Sequence, residues 1–121
     1  MPTTTGHTSA ISARKVIDTY VYDASGSKIG EVKDIVLDKL SNNIMFAVVG
    51  FGGVLGMGEK YHPIPWSELD YSKDRDGYTI NLSREELAAG PNAKLDELTR
   101  DDGRAYRDLA FAHYKSRPYW H

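Results

Sequence analysis

Ile44-Met45-Phe46-Ala47-Val48-Val49 runs without a single polar side chain, and its length and β-branched content make it a strand whose two faces both need cover. Side chains of a strand alternate between faces, so one layer can hide only half of this run. One face is read as the inside of a small β-barrel. The other is expected to meet a helix or a second copy of the chain. Ser41-Asn42-Asn43, just before the run, suits a hairpin entry because Asn tolerates left-handed backbone.

Toward the N-terminus, Lys28 to Lys39 reads as the partner strand. Gly30, Val32, Asp34, Val36 and Asp38 share one parity and Ile29, Glu31, Lys33, Ile35 and Leu37 the other, yet Ile35-Val36-Leu37 is apolar on both. The flaw predicts a bulge or bend near Lys33-Asp34, which curls a sheet toward closure. Val16 to Tyr22 is dense in β-branched and aromatic residues and reads as a strand ending in the turn Asp23-Ala24-Ser25-Gly26.

Toward the C-terminus, the glycine-rich loop Gly50 to Gly58 leads into Lys60-Tyr61-His62-Pro63-Ile64-Pro65-Trp66, whose prolines place it at a sheet margin. Ser67-Glu68-Leu69 suits one helical turn, Lys73 to Gly77 a hairpin loop, and Tyr78-Thr79-Ile80-Asn81-Leu82 an alternating strand. Ser83 and Glu86 have capping-box spacing ahead of a helix over Arg84 to Ala89, stopped by Gly90-Pro91. A last helix, opened by Asp101 or Asp102, puts Tyr106, Leu109, Ala110, His113 and Tyr114 on one face. The fold class expected is mainly β: a small antiparallel barrel with short C-terminal α-helices. Residues 1–11 are expected to be a flexible tail, 12–90 the barrel-like domain, and 91–121 a helical extension with an aromatic tail.

The 121 residues suit one domain. The chain has no cysteine, which excludes thiolate metal sites, thiol nucleophiles and disulfides. A formal charge of -2 offers no footprint for a nucleic-acid backbone, so no nucleic-acid partner is expected. No window suits a membrane-spanning helix, and the opening residues lack the basic and apolar stretches of a secretory signal; a cytoplasmic protein is expected.

Three segments carry a family resemblance. They are Val21-Tyr22-Asp23-Ala24-Ser25-Gly26-Ser27-Lys28-Ile29-Gly30-Glu31-Val32 with Asp34 and Asp38 following, Ala47 to Lys60 across the glycine-rich loop, and Ile64-Pro65-Trp66-Ser67-Glu68-Leu69. In order and spacing, over about residues 14 to 90, the chain resembles the PRC-barrel domain. That domain occurs in the cytoplasmic part of the photosynthetic reaction-centre H subunit, in the ribosome maturation factor RimM and in stand-alone bacterial proteins. The resemblance implies a β-barrel used for docking and assembly, and it carries over no catalytic residue.

The residues themselves offer little chemistry. Gly53 and Gly58 have P-loop separation, but Glu59 and Lys60 stand where Lys and Ser or Thr are required. His7, His62, His113 and His121 share no metal-ligand spacing. The carboxylate pairs Asp34/Asp38, Glu85/Glu86 and Asp101/Asp102 suit turns, caps and solvated faces. No enzyme activity, metal or cofactor is expected. The function expected is a non-catalytic interaction module, with itself as a homo-oligomer, a dimer, and an unidentified protein client as partners. Phe46, Val48, Val49, Phe51, Val54, Leu55, Met57, Tyr119 and Trp120 are the interface candidates. The alternative is a small ligand at the barrel mouth, held by Tyr61, His62 and Trp66.

Overall fold

Two long strands, β2 (Lys28–Asp38) and β3 (Asn43–Gly50), pair antiparallel and form the spine of the molecule. The computed structural model describes residues 10–51 and 60–120. Lys33 is an extra residue between Val32 and Asp34, which oppose Val49 and Val48, so the bulge lies where the alternation breaks. A second irregularity at Val36/Leu37 leaves Met45 as the extra residue on β3. Beyond the first bulge, Asp34–Asp38 pairs with β3 on one side, and no strand flanks it on the other among the described residues. There the Ile35 N–H donates to Oδ1 of its neighbour Asp34 at 2.8 Å.

β1 (Tyr20–Tyr22), β4 (Tyr61–Ile64), β5 (Leu69–Ser72) and β6 (Gly77–Ile80) complete a six-stranded sheet in the order β4-β3-β2-β1-β6-β5. Two features differ from the expected antiparallel barrel. The pair β1–β6 is parallel, with Val21 opposite Tyr78 and Tyr22 opposite Thr79. The edge strands β4 and β5 are not hydrogen-bonded to each other among the described residues. The 3-10 turn Trp66–Glu68, entered through Pro65, fills the corner between them, and Pro63 and Pro65 have no N–H to offer a ladder.

The strand expected over Val16 to Tyr22 is shorter. Ala13–Val16 forms a helical turn, α1, and Asp18 at φ 70° breaks the extended path before β1. Val16 is thereby turned into the core. α2 (Arg84–Ala88) has the expected capping box: the Glu86 N–H donates to Ser83 Oγ at 3.1 Å, and the Ser83 N–H to Glu86 Oε1 at 3.0 Å.

α3 (Arg104–His113) starts at Gly103, with Asp101 and Asp102 left-handed ahead of it, so neither aspartate is the cap. Gly103 is needed twice over: its φ is 74°, and a Cβ there would stand 2.9 Å from Met45 Sδ. The buried face of α3 is Ala110 and Phe111, continued by Tyr114, whereas Leu109 points to solvent and His113, though exposed, turns its ring toward α2. Of the expected face, Ala110 and Tyr114 are buried and Tyr106 joins the outer cluster, but Phe111 packs where Leu109 was expected.

Two apolar clusters result, one on each face of β3. Inside the curl, Val21, Val32, Ala47, Val49, Ile64 and Ile80 come together with residues of β5 and the plugs Leu87, Ala110 and Tyr114. Outside it, Met45, Phe46 and Val48 pack with Leu98, and Val36, Tyr61, Ala93 and Tyr106 close around them.

Candidate interaction surface

The all-apolar strand is covered by its own chain. After α2 the backbone returns along β4, where Tyr61 and Ala93 exchange hydrogen bonds of 3.1 and 3.0 Å. It then lays Leu98 and Tyr106 over Phe46 and Val48. The interface expected at Phe46, Val48, Val49 and Phe51 is therefore corrected. Phe46 and Val48 lie under residues 93–106, while Val49 and Phe51 belong to the inner cluster. Val54, Leu55 and Met57 lie outside the described residues.

Tyr119 and Trp120 likewise dock on their own protomer. Trp120 packs edge-on against Phe111 with centroids 4.8 Å apart, and the Arg107 guanidinium stacks 3.7 Å from its ring centroid. Tyr119 Oη donates to Asp38 Oδ2 at 2.7 Å, tying the tail to the turn end of the β2–β3 hairpin. A hydrogen bond to a charged group contributes roughly 1.5–3 kcal/mol. The Tyr119 bond, with the Leu40 and Ser41 N–H groups on Oδ1, holds Asp38 below the usual carboxylate range. Burial and the same bond push the Tyr119 phenol up to about 12.

The three ligand candidates do not converge. Tyr61 and His62 are consecutive in β4, so they point to opposite faces: Tyr61 joins the outer cluster, while His62 faces Phe51 inside, ring centroids 4.5 Å apart. Trp66 stands at the corner against Tyr78, 5.5 Å away. His62 is 1 % exposed and neither ring nitrogen has a hydrogen-bond partner among the described residues. Burial foremost, then the charges of Lys60 and His113, lower its pKa to about 4; the Pro91 carbonyl works the other way without reaching hydrogen-bond geometry. Tyr114 Oη is also buried without a hydrogen-bond partner among the described residues, and burial raises its pKa.

The buried carboxylates serve turns. Asp23 Oδ1 accepts from Ser25 Oγ at 2.6 Å and from the N–H groups of Ser25 and Ser27 at 3.0 Å, which keeps its pKa low. His113 Nε2 lies 3.1 Å from the Glu86 carbonyl, fastening α3 to α2. Among the described residues no cluster of His, Asp and Glu could hold a metal ion.

What the sequence reading missed is the far end of the β2–β3 hairpin. Leu37 is 64 % exposed and Leu40 85 %. Both leucines line a groove of about 490 Å³ with Met45, Lys39, Arg104 and Arg107. A neighbouring groove of about 470 Å³ shares Val36 and Thr99 with it and continues over Val48, Leu95 and Leu98, with Asp34 and Asp96 on its walls. One exposed leucine is ordinary, but here two stand beside grooves that share Val36 and Thr99. The available signal was Leu40, which follows Lys39 in a turn and has no strand to join.

No helix among the described residues is long and apolar enough to cross a membrane. No curated protein matches the chain closely enough to count as a relative. A family model described as the PRC-barrel domain matches residues 9–87, a span that holds every strand of the sheet and ends in α2. The mainly β chain, its sheet curled around a single inner core, belongs to the PRC-barrel domain family.

Proposed function

We propose that this chain is a non-catalytic docking module, and that its contact surface is the hairpin end carrying Leu37 and Leu40. PRC-barrel domains are interaction and assembly modules, which gives the class of function. The observation that carries the location is the pair of leucines, 64 % and 85 % exposed, at the mouth of a groove that the tail and α3 leave uncovered. Burying a leucine is worth roughly 1.5–3 kcal/mol, so a partner that covers both gains more than an exposed ion pair would supply. The non-catalytic part is supported by the uses found for the polar groups: Asp23 and Asp38 brace turns, and Tyr61 and Trp66 pack in place.

The test places a photoreactive phenylalanine analogue at position 40 and, as a control, at the exposed Asp74 in the β5–β6 loop, in cells that make the protein. Discrete protein adducts from position 40 and none from position 74 are expected. Equal yields from both positions, or no adduct from position 40, would overturn the reading.

A further inference from the structure

Resting on that docking reading, we infer that the partner at the hairpin end is a second copy of this chain, in a twofold contact where Lys39-Leu40 of each protomer enters the other's groove between β2 and Leu95–Leu98. Both halves of the contact are present on one continuous surface. The knob is Leu40, the most exposed large apolar residue among those described, with the cation Lys39 beside it. The hole is the groove whose accessible apolar wall is Val36 and Leu95, above the buried Val48 and Leu98, and its polar walls are the carboxylates Asp34 and Asp96.

The charges divide the same way. Lys39 and Arg104 stand at the end that holds the knob, with Asp102 beside them; Arg107 is spent on Asp108 and Trp120, and Asp38 on Tyr119. Asp34 and Asp96 stand at the other end. Asp34 spends one oxygen on the Ile35 N–H, and Asp96 faces Arg100 at 3.9 Å with both side chains mostly in solvent, a contact that gives way readily to a stronger partner. A twofold axis sets each patch against its complement, because in such a contact residue i of one copy meets residue j of the other and the reverse holds too. Leucine then meets an apolar groove, and lysine meets carboxylates. The union runs through side chains, since the bulge at Lys33 and the Asp34 cap on the Ile35 N–H spoil the backbone of β2 for strand pairing.

The experiment is sedimentation equilibrium on the full chain, with circular dichroism as the check on folding. At about 100 µM, ample for a micromolar contact, wild type is expected at twice the chain mass of 13.5 kDa. Leu40→Glu, at a solvent-exposed position, is expected to be folded and monomeric. Lys39→Glu and Asp96→Lys are each expected to weaken association roughly tenfold, because every substitution counts twice in a symmetric dimer. The double variant, which exchanges the charges, is expected to recover most of the loss. A monomeric wild type, a dimer indifferent to Leu40→Glu, or single variants that the double fails to rescue would each overturn the inference. Adducts of position 40 with other proteins beside a monomeric mass would overturn the second copy alone and leave the docking reading standing.

Discussion

The inner and outer faces of β3 are equally buried but are covered by different means. The inner face is closed by the curl of the sheet itself, with α1, α2 and α3 as plugs, and nearly all of it lies within the span shared with the PRC-barrel family. The outer face is closed by Val36 and Tyr61 from within that span and by Ala93, Leu98 and Tyr106 from beyond it. The family's core thus stands on one side of the strand, and on the other a segment of the same chain occupies the place a partner would otherwise take. An apolar surplus in a domain can be read from its strand, but its cover must be sought in the residues C-terminal to the domain.

The contrast between the faces breaks most directly at Phe46. Phe46→Ala is expected to cost roughly 3–5 kcal/mol in urea unfolding if the outer cluster is a core in its own right; a cost under about 1 kcal/mol would reduce it to a veneer. Leu98→Ala tests the cover rather than the strand, and roughly 2–4 kcal/mol is expected, near what an inner leucine such as Leu87 would cost.

The two faces are also expected to answer acid differently. His62, on the inner face, has its folded pKa lowered from 6.5 to about 4, so the unfolded chain takes up a proton first. Stability should therefore fall, on the order of 2–3 kcal/mol, as pH drops from about 6.5 to about 4. His62→Phe should flatten that slope; an unchanged slope would acquit the histidine. The outer latch has the same sign but acts in stronger acid. The lowered pKa of Asp38 stabilises the fold above its ordinary value of 3.8, and this stabilisation is lost as pH falls through the folded value. Tyr119→Phe should cost roughly 1.5–3 kcal/mol at neutral pH, with the gap to wild type closing only below about pH 4. A gap that persists in stronger acid would mean that the phenol contributes by packing.

Much of this was legible in the sequence. The unbroken run at Ile44 to Val49 demanded two covers, the parity flaw at Lys33 foretold the bulge, and Ser83 and Glu86 announced a helix start, because each is a local rule that the neighbours do not overturn. The identity of the outer cover was not legible. Leu98 reaches it from a stretch of 3-10 turns, where no helical or strand period links it to Phe46. Asp18 hid the break before β1, since a single left-handed residue leaves no mark in a β-rich composition. Tyr61, His62 and Trp66 do not form one site because strand alternation already parts the first two. Leu37 escaped notice because it matched the parity of the barrel wall, though it lies past the last residue of β2 that β1 reaches.

The half of β2 beyond Lys33 bears on how this protein behaves when crowded. A stretch containing Ile35, Val36 and Leu37 with one flank open has the composition that seeds fibrils. Yet the irregular step at its start and a carboxylate folded back onto its own backbone deny an incoming chain a straight row of donors. Contacts here should stop at a countable number of molecules, and concentrated solutions should stay clear where a smooth edge would drive them to gel.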